Sequence, residues 1–265
     1  MDLSHIKMVV TDMDGTLLNS QHKVSDRFFS QFQELKKRGI HFVAASGRQY
    51  HSIVDKLDSI KKDILVIAEN GALVKDQDKE LLVTPLESHL KNDLLQCIDR
   101  IDGAHAMLCG KYNAYFDGSS TPFLEELKEY YSSFEIHDSL HAITDEIIKI
   151  AVYHNECAEE HVYPAMKNFE NQVIVKVSGQ NWLDLNHSNA NKGHALKQVQ
   201  DRLGVLKEET IVFGDYNNDL EMLAMSDFSF AMKNAHPNVK EVANYQTESN
   251  DNFGVELILD KLLNQ

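Results

Sequence analysis

The sequence predicts an α/β protein with a Rossmann-like, doubly wound parallel sheet and a second α/β domain inserted into the chain. Short apolar, β-branched runs alternate with helical patterns over the first 70 residues and again after residue 190, which is typical of a parallel sheet covered by helices. Polar motifs follow the ends of several of these runs, as ligand sites do in such sheets. A chain of 265 residues is also long enough for two domains.

The N-terminal part of the chain contains three predicted strands that alternate with two predicted helices. Ser25 is a candidate N-cap for the first helix, and Gly39 is a candidate stop after its basic last turn. The apolar face of this helix is predicted to contain Phe28, Phe29, Phe32 and Leu35. The predicted elements are, in order, a strand over 6–11, a helix from 26, a strand over 40–45, a helix over 50–57 and a strand over 64–68.

From about residue 80 the predicted elements become shorter and more mixed, which indicates a separate domain. We expect a main domain of residues 1–80 and 186–265 and an inserted domain of residues 81–185. The inserted domain is predicted to contain strands near 81–84, 106–108, 114–116, 147–152, 173–177 and 182–185 and helices near 87–101, 122–131 and 158–169. The main domain is predicted to continue with helices near 195–203, 220–225 and 253–263, a short helix that begins at Pro237, and strands over 210–213 and 228–231.

The motif Asp12-Met13-Asp14-Gly15-Thr16 directly follows the first predicted strand. Its two carboxylates lie two residues apart, and Gly15 lets the backbone turn sharply between them and the next element. The pattern suits a nucleophilic Asp12 and a proton-transferring Asp14 with a phosphate bound between them, while Thr16 offers a hydroxyl and an N–H. The alternative is an acidic turn without chemistry, but five matching positions directly after a strand favour the catalytic interpretation.

A second acidic motif, GDYNND at 214–219, follows another predicted strand. Asp219 and Asn218 would lie in the first turn of a helix, where simple capping is the alternative interpretation. Capping explains one acid but not the additional Asp215 beside the strand end. If these acids lie beside Asp12 and Asp14, the cluster needs a cation, and hard oxygen ligands suit Mg²⁺.

Three further polar segments are candidates for the same edge of the sheet. Ser46-Gly47-Arg48 follows the second predicted strand, and Asn70 follows the third. Ser46 also suits a cap for the next helix, and Arg48 suits pairing with an acid as well as contact with a substrate. Lys192 begins a predicted helix, where it could reach an anion that the helix also attracts, although a solvated surface lysine is the commoner outcome.

Composition excludes several classes of function. The formal net charge of −15 leaves no basic stripe for binding nucleic acid. The three separated cysteines are typical of free thiols in a reducing compartment, and we find neither a signal-peptide pattern nor an apolar run of membrane-spanning length. We therefore expect a cytoplasmic protein whose partner is a small phosphorylated metabolite, with no nucleic acid and no membrane.

With these motifs in hand, the chain resembles the haloacid dehalogenase (HAD) superfamily of phosphotransferases. DMDGT at 12–16 is similar to the first motif of that superfamily, Ser46 to the second, Lys192 to the third and GDYNND at 214–219 to the fourth. The segment 68–72 and the position of the insertion resemble the Cof-type branch of sugar-phosphate phosphatases. The resemblance implies a HAD-like core and an inserted α/β cap that closes over the active site.

The resemblance also implies roles for individual residues. Asp12 would form an aspartyl-phosphate, and Asp14 would protonate the leaving oxygen and then activate water. Mg²⁺ would be held by the Asp12 carboxylate, the Asp14 carbonyl and Asp215, with Asp219 nearby. The residues that the resemblance implies to contact the phosphoryl group or substrate are Thr16, Ser46, Lys192, Asn218 and the backbone around Met13 and Gly47. Arg48 and Asn70 are further candidates for substrate contact because of their strand-end positions.

The expected function is therefore Mg²⁺-dependent hydrolysis of small phosphorylated metabolites, sugar phosphates above all. One alternative is a phosphomutase that uses the same intermediate, which would isomerise a sugar phosphate without releasing phosphate. Another is a phosphate-ligand sensor, which would bind substrate without Asp12-dependent turnover. The intact acids argue against the sensor, and the branch resemblance argues against the mutase.

Overall fold

The computed structural model describes residues 1–111, 113–118, 123, 124, 127 and 134–265. The chain divides into two compact units, a core unit of Met1–Leu82 and Asn191–Gln265 and an inserted unit of Val83–Ala190. The sequence-based boundaries differ from this division by two residues at the first crossing and by five at the second. At the second crossing the last strand of the inserted unit continues to His187, two residues beyond the predicted end.

The described strands and helices alternate over residues 8–68 and again over 192–263. The strands are β1 (Met8–Asp12), β2 (His41–Ala45), β3 (Leu65–Ala68), β4 (Leu73–Asp76), β5 (Lys79–Val83), β6 (Ala104–Gly110), β7 (Ala114–Phe116), β8 (Phe134–Ile136), β9 (Ile147–His154), β10 (Val173–Val177), β11 (Trp182–His187), β12 (Thr210–Gly214), β13 (Phe228–Ala231) and β14 (Tyr245–Gln246). The helices are α1 (Asp26–Lys37), α2 (Tyr50–Lys56), α3 (Ser88–Ile98), α4 (Ala158–His161), α5 (Tyr163–Met166), α6 (Lys192–Leu203), α7 (Leu220–Leu223), α8 (Pro237–Val242) and α9 (Gly254–Leu263). Among the described helices, none is both long and apolar enough to cross a membrane.

The core unit contains an eight-stranded sheet in the order β14-β13-β12-β1-β2-β3-β4-β5. The strands from β14 to β3 in this order pair in parallel, and β4 pairs antiparallel with β3. The chain extends the sheet on both sides of β1, so the predicted doubly wound parallel fold is confirmed. Every residue of β1 and of β12 is buried, as expected for strands covered on both faces.

Helix α1 shows how the local sequence forms these elements. The Ser25 Oγ accepts a hydrogen bond from the Phe28 N–H, which confirms the predicted N-cap. The predicted apolar face is correct except at Phe29, which is only partly buried. Gln31 is buried instead, because its Nε2 donates to the Glu256 carbonyl oxygen at 2.9 Å, and a buried amide needs such a partner.

The inserted unit contains a six-stranded sheet in the order β10-β11-β9-β6-β7-β8. Its strands pair antiparallel except for β7 and β8, which are parallel. Ile150 and Val152 belong to one hydrophobic cluster, and Ala151 and Tyr153 belong to another. Both faces of β9 are therefore covered by apolar side chains.

One predicted helix of the inserted unit is interrupted in the structure, and another lies mostly outside the described residues. The predicted helix over 158–169 is wrong as a single element, since the chain forms α4, α5 and a 3-10 turn at Lys167–Phe169. Pro164 lies in the first turn of α5, where its missing N–H and its ring are tolerated but end the preceding helix. Most of the predicted helix over 122–131 lies outside the described residues.

Candidate active site

A buried lysine between two carboxylates forms the centre of the site. Lys192 is the first residue of α6, and its Nζ lies 2.6 Å from the Asp12 Oδ1 and 2.6 Å from the Asp219 Oδ1. Lys192 and Asp219 are 0% exposed, and Asp12 is 5% exposed. The surface-lysine alternative is therefore wrong, because two opposite charges hold the ammonium at the carboxyl edge of the sheet.

Both carboxylate oxygens of Asp219 are engaged by the protein. The Oδ1 accepts from Lys192, and the Oδ2 accepts from the backbone N–H groups of Asp215 at 2.9 Å and Tyr216 at 3.2 Å. The second oxygen therefore caps its own turn, as the capping alternative predicted, while the first also orients Lys192. Asp219 therefore holds the Lys192 ammonium while it is itself fixed by two backbone N–H groups.

Asp215 follows β12 and lies against the loop that follows β1. The Thr16 hydroxyl donates to the Asp215 Oδ1 at 3.4 Å. The backbone of Gly15 has a φ of +75°, and a Cβ atom at this residue would overlap the Asp215 carboxylate, with the Asp215 Cγ at 2.9 Å. Gly15 is thus required both for the left-handed backbone and for the close approach of the two motifs.

The substitution Gly15→Ala is expected to destabilise the protein and to displace Asp215. Gly39→Ala is the control that measures only the cost of placing alanine in a left-handed backbone conformation. Gly39 has a similar φ of +71°, but nothing lies within 4 Å of a Cβ there. We expect Gly39→Ala to cost roughly 1–2 kcal/mol through its left-handed conformation. Gly15→Ala should cost more in urea unfolding and also weaken cation binding; equal costs and unchanged cation binding would contradict the steric contact.

The electrostatics of the cluster follow from burial and an excess of negative charge. Burial raises the pKa of Asp12 well above its usual range; the Lys192 ammonium opposes this rise, and the neighbouring acids add to it. Burial, together with the charge of Asp219, raises the pKa of Asp215 to about 7. Burial would lower the pKa of Lys192, but the two carboxylates outweigh it and raise that pKa. A further positive charge would therefore stabilise the cluster.

The donor set fits a divalent metal ion. Asp12, Asp215 and Asp219 each offer one carboxylate oxygen, and these oxygens all lie within 4.8 Å of one another. Carboxylate oxygens are ligands that Mg²⁺ prefers. Since Lys192 and backbone N–H groups already engage both oxygens of Asp219, Asp12 and Asp215 are the better placed ligands. We expected a cluster of four carboxylates, but only those of Asp12, Asp215 and Asp219 form one, because the Asp14 side chain pairs with Arg48.

Asp14 forms an ion pair with Arg48. The Arg48 Nε lies 2.7 Å from the Asp14 Oδ2, and the Nη2 lies 2.7 Å from the Asp14 Oδ1. Of the two alternatives for Arg48, the structure therefore shows pairing with an acid. Burial raises the pKa of Asp14, but the Arg48 guanidinium outweighs it and holds that pKa below its usual value.

Ser46 and Gly47 lie in the turn after β2, and a Cβ atom at Gly47 would lie 2.9 Å from the Asn70 Oδ1. The Ser46 Oγ accepts from the Arg48 N–H at 3.1 Å. The N-cap of α2 is Gln49, so the interpretation of Ser46 as that cap is wrong. The turn after β2 is tight enough for the serine to bond its own second neighbour, and Ser46 lies three residues before the N-cap Gln49.

Asn70 and Asn218 join two of the predicted segments. The Asn218 Nδ2 donates to the Asn70 Oδ1 at 3.1 Å. Asn70 has a left-handed backbone with φ of +56°, which asparagine tolerates better than most residues. The remaining predicted residue, Met13, is fully buried, so only its backbone is a candidate for contact with a phosphoryl group.

Two residues near the site were not predicted. The Asn234 Nδ2 donates to the Gly15 carbonyl at 2.8 Å, and Asn234 follows β13, so the strand-end rule could have found it. His22 has its Nδ1 3.6 Å from the Asp14 Oδ1. No sequence signal marks His22, because it lies in a loop with no motif.

The fold and the site together define a class of hydrolase that has a strand-end carboxylate and a buried lysine over a doubly wound sheet. A family model described as haloacid dehalogenase-like hydrolase matches residues 9–259. The chain belongs to this family, and the predicted resemblance is confirmed.

Two relatives that are named as phosphatases match this chain over nearly their full lengths. The 5-amino-6-(5-phospho-D-ribitylamino)uracil phosphatase YbjI of Escherichia coli K12 is 32% identical over 261 residues, covering 97% of this chain and 96% of that protein. The Bacillus subtilis 168 enzyme YcsE, named for the same activity, is 29% identical and covers 94% and 93%. A Streptococcus mutans UA159 crystal structure has a TM-score of 0.89 at 28% identity, covering 98% of this chain and 100% of that one. Together with family membership, these relatives identify the chain as a HAD-type phosphatase.

Proposed function

We propose that the protein hydrolyses small phosphomonoesters with Mg²⁺, through an aspartyl-phosphate on Asp12. The observation that carries this proposal is the placement of Lys192 between Asp12 and Asp219, with Asp215 alongside. Phosphoryl transfer needs in-line positioning and neutralisation of charge on the phosphoryl oxygens. A buried ammonium hydrogen-bonded to the nucleophile supplies part of that charge at the reacting carboxylate.

The reaction would proceed in two displacements. An Asp12 oxygen forms a bond to phosphorus while the ester P–O bond breaks, and the leaving oxygen keeps the electron pair and takes a proton from Asp14. Because Arg48 favours the ionised form of Asp14, Asp14 must first take up this proton from solvent when the ester binds. Water then attacks the phosphorus of the aspartyl-phosphate, its proton passes to Asp14, and the Asp12 carboxylate is regenerated with release of phosphate. Lys192 would hold the Asp12 side chain in place in both steps.

Mg²⁺ would be held by Asp12 and Asp215, with the Asp14 carbonyl as a further ligand and Asp219 nearby. A bound Mg²⁺ would supply charge neutralisation at the phosphoryl oxygens. The backbone around Met13 and Gly47, and the Thr16 and Ser46 hydroxyls, are proposed to orient the phosphoryl group.

Cation binding should depend on pH through Asp215. Its pKa of about 7 lies above the ordinary value of 3.8, so the metal-free protein loses stability from this group as pH rises from about 4 through about 7. Mg²⁺ needs the ionised carboxylate and must displace a proton below that pH. We expect the apparent Kd for Mg²⁺ to weaken about tenfold per unit below pH 7.

Thermal unfolding and calorimetric titration measure this effect. The Mg²⁺-induced rise in Tm should be larger at pH 8 than at pH 5.5, and Asp215→Asn should remove most of the difference. A rise in Tm that is equal at both pH values would contradict the assignment of Asp215 as a ligand.

The substrate class is proposed from the relatives. Two of them, YbjI and YcsE, are named for an ester in which the phosphate is carried by a ribityl chain. We propose that this chain acts on phosphorylated sugars or sugar alcohols, including that compound. The inserted unit is proposed as the cap domain that selects among them.

A panel of phosphomonoesters tests the function. Phosphate release would be measured from sugar phosphates, 5-amino-6-(5-phospho-D-ribitylamino)uracil and p-nitrophenyl phosphate, with Mg²⁺ and with chelator. Mg²⁺-dependent release would support the hydrolase, and the ranking would define the substrate class. Isomerised sugar phosphate without free phosphate would indicate the mutase, and tight binding without any turnover would indicate the sensor.

A further inference from the structure

The ion pair between Arg48 and Asp14 is two-pronged. Each Asp14 oxygen accepts one hydrogen bond from the guanidinium, from Nε at 2.7 Å and from Nη2 at 2.7 Å. A fork of this kind fixes the plane of the carboxylate as well as its position, which a single ammonium contact does not. The pair therefore determines where the remaining lone pairs of Asp14 are directed.

Arg48 is the fixed partner of this pair. Its side chain is 4% exposed, whereas that of Asp14 is 41% exposed. The Arg48 backbone is anchored at both ends, since its N–H donates to the Ser46 Oγ at 3.1 Å and its carbonyl accepts from the Glu69 N–H at 3.0 Å. Its Nη1 also lies 3.4 Å from the Ser52 Oγ.

The direction of the Arg48 charge distinguishes it from Lys192. The Lys192 ammonium contacts the proposed nucleophile Asp12, while two Arg48 contacts of 2.7 Å go to Asp14. A cation that served to bind the phosphoryl group would be expected to leave its donors available there. Arg48 instead donates two hydrogen bonds to Asp14, the residue proposed to transfer protons.

We propose that Arg48 is a positioning residue that orients the Asp14 carboxyl group toward the oxygen of the scissile ester, and that it does not bind the phosphoryl group. This inference rests on the proposed function. The proton step is the one given above: Asp14 delivers a proton to the leaving oxygen as the P–O bond breaks and later receives one from water. Arg48 acts on both transfers through Asp14 alone.

The leaving group provides the test. An alkyl phosphate needs a proton on its leaving oxygen, whereas p-nitrophenolate departs without one. For Arg48→Lys, which keeps the charge but loses the fork, we expect the first turnover of an alkyl ester to slow about 10²-fold. The first turnover of p-nitrophenyl phosphate, measured as a burst of p-nitrophenolate, should change less than about fivefold. The ester concentration that gives half of the maximal first-turnover rate should be unchanged for both esters.

Two further variants make the result decisive. Asp14→Asn should show the same leaving-group dependence, and Asp14→Asn/Arg48→Gln should be no slower than Asp14→Asn alone, because Arg48 acts only through Asp14. The double variant also removes both charges of the pair, which protects folding if Arg48→Lys does not fold. Arg27→Lys is the matched control, since Arg27 pairs with Asp260 outside the site, and its kinetics should match wild type.

The experiment distinguishes failure of the Arg48 inference from failure of the proposed function. Equal slowing of both esters by Arg48→Lys with a raised KM, or a further tenfold loss in the double variant, would overturn the inference and make Arg48 a phosphoryl-binding residue. Failure of the wild-type protein to release phosphate from either ester would instead overturn the proposed function.

Discussion

Asp12→Asn is expected to abolish phosphate release, with kcat falling by roughly 10⁴-fold or more. The amide is neutral and cannot form the acyl-phosphate, and the 5% exposed Asp12 leaves little space for another nucleophile to replace it. Lys192 keeps Asp219 as a charged partner at 2.6 Å, so the lysine should remain in place. The loss should therefore appear in kcat, with phosphate-ester binding retained.

The same substitution has an expected effect on stability that separates chemistry from folding. In the metal-free protein one ammonium faces three carboxylates, and burial together with the neighbouring acids raises the pKa of Asp12. Removing one negative charge should leave the free energy of unfolding unchanged or raise it when chelator is present. Urea unfolding with chelator measures this. An inactive variant that is also strongly destabilised would mean that Asp12 mainly supports the fold, and retained turnover would rule out Asp12 as the nucleophile.

The parallel fold was predictable because its signals are local. Apolar runs of four to five residues, such as β3 and β12, are bounded by clear turn and cap residues. The elements that were missed, β4, β8 and β14, are four, three and two residues long. Runs of two or three residues carry too little periodicity to be separated from loop, and only the first two residues of β4 are apolar. The strand conformation of all three elements depends on pairing with a neighbour.

The sequence predicted which residues lie at the edge of the sheet, but it did not predict which of their side chains contact one another. The strand-end rule places Asp12, Asp215 and Ser46 at one edge, and the structure brings their motifs together there. The partners of Lys192 and Arg48 were not predictable, because a helix-start lysine or a loop arginine can face solvent, acid or substrate with the same local sequence. The pair Lys192–Asp12 spans 180 residues of chain, and only the folded topology determines it.

The second large effect is expected for Lys192→Met. The ammonium is 0% exposed and lies 2.6 Å from an oxygen of each of Asp12 and Asp219. Removing one partner of a buried ion pair leaves uncompensated charge, which typically costs about 3–5 kcal/mol. Methionine preserves most of the side-chain volume, so the loss is mainly electrostatic. Activity should fall by at least ~10³-fold, because the nucleophile loses both its orientation and its positive neighbour.

Lys197 lies on the same helix and provides a control, because it is a paired lysine that is exposed instead of buried. Lys197 also pairs with an aspartate, Asp201, but its side chain is 53% exposed, so Lys197→Met should change the free energy of unfolding by less than about 1 kcal/mol and leave kcat unchanged.

The double variant Lys192→Met/Asp219→Asn then tests the cause of the loss. It removes one of the uncompensated charges, so it should recover part of the stability while remaining inactive. The single variant should also regain stability as pH falls from 8 to 5.5, because its buried carboxylates can then bind protons. No recovery at low pH would show that Lys192 acts through packing, and equally small destabilisation by Lys192→Met and Lys197→Met would show that the buried charge contributes little to stability. Either result would contradict the charge-based account of the nucleophile.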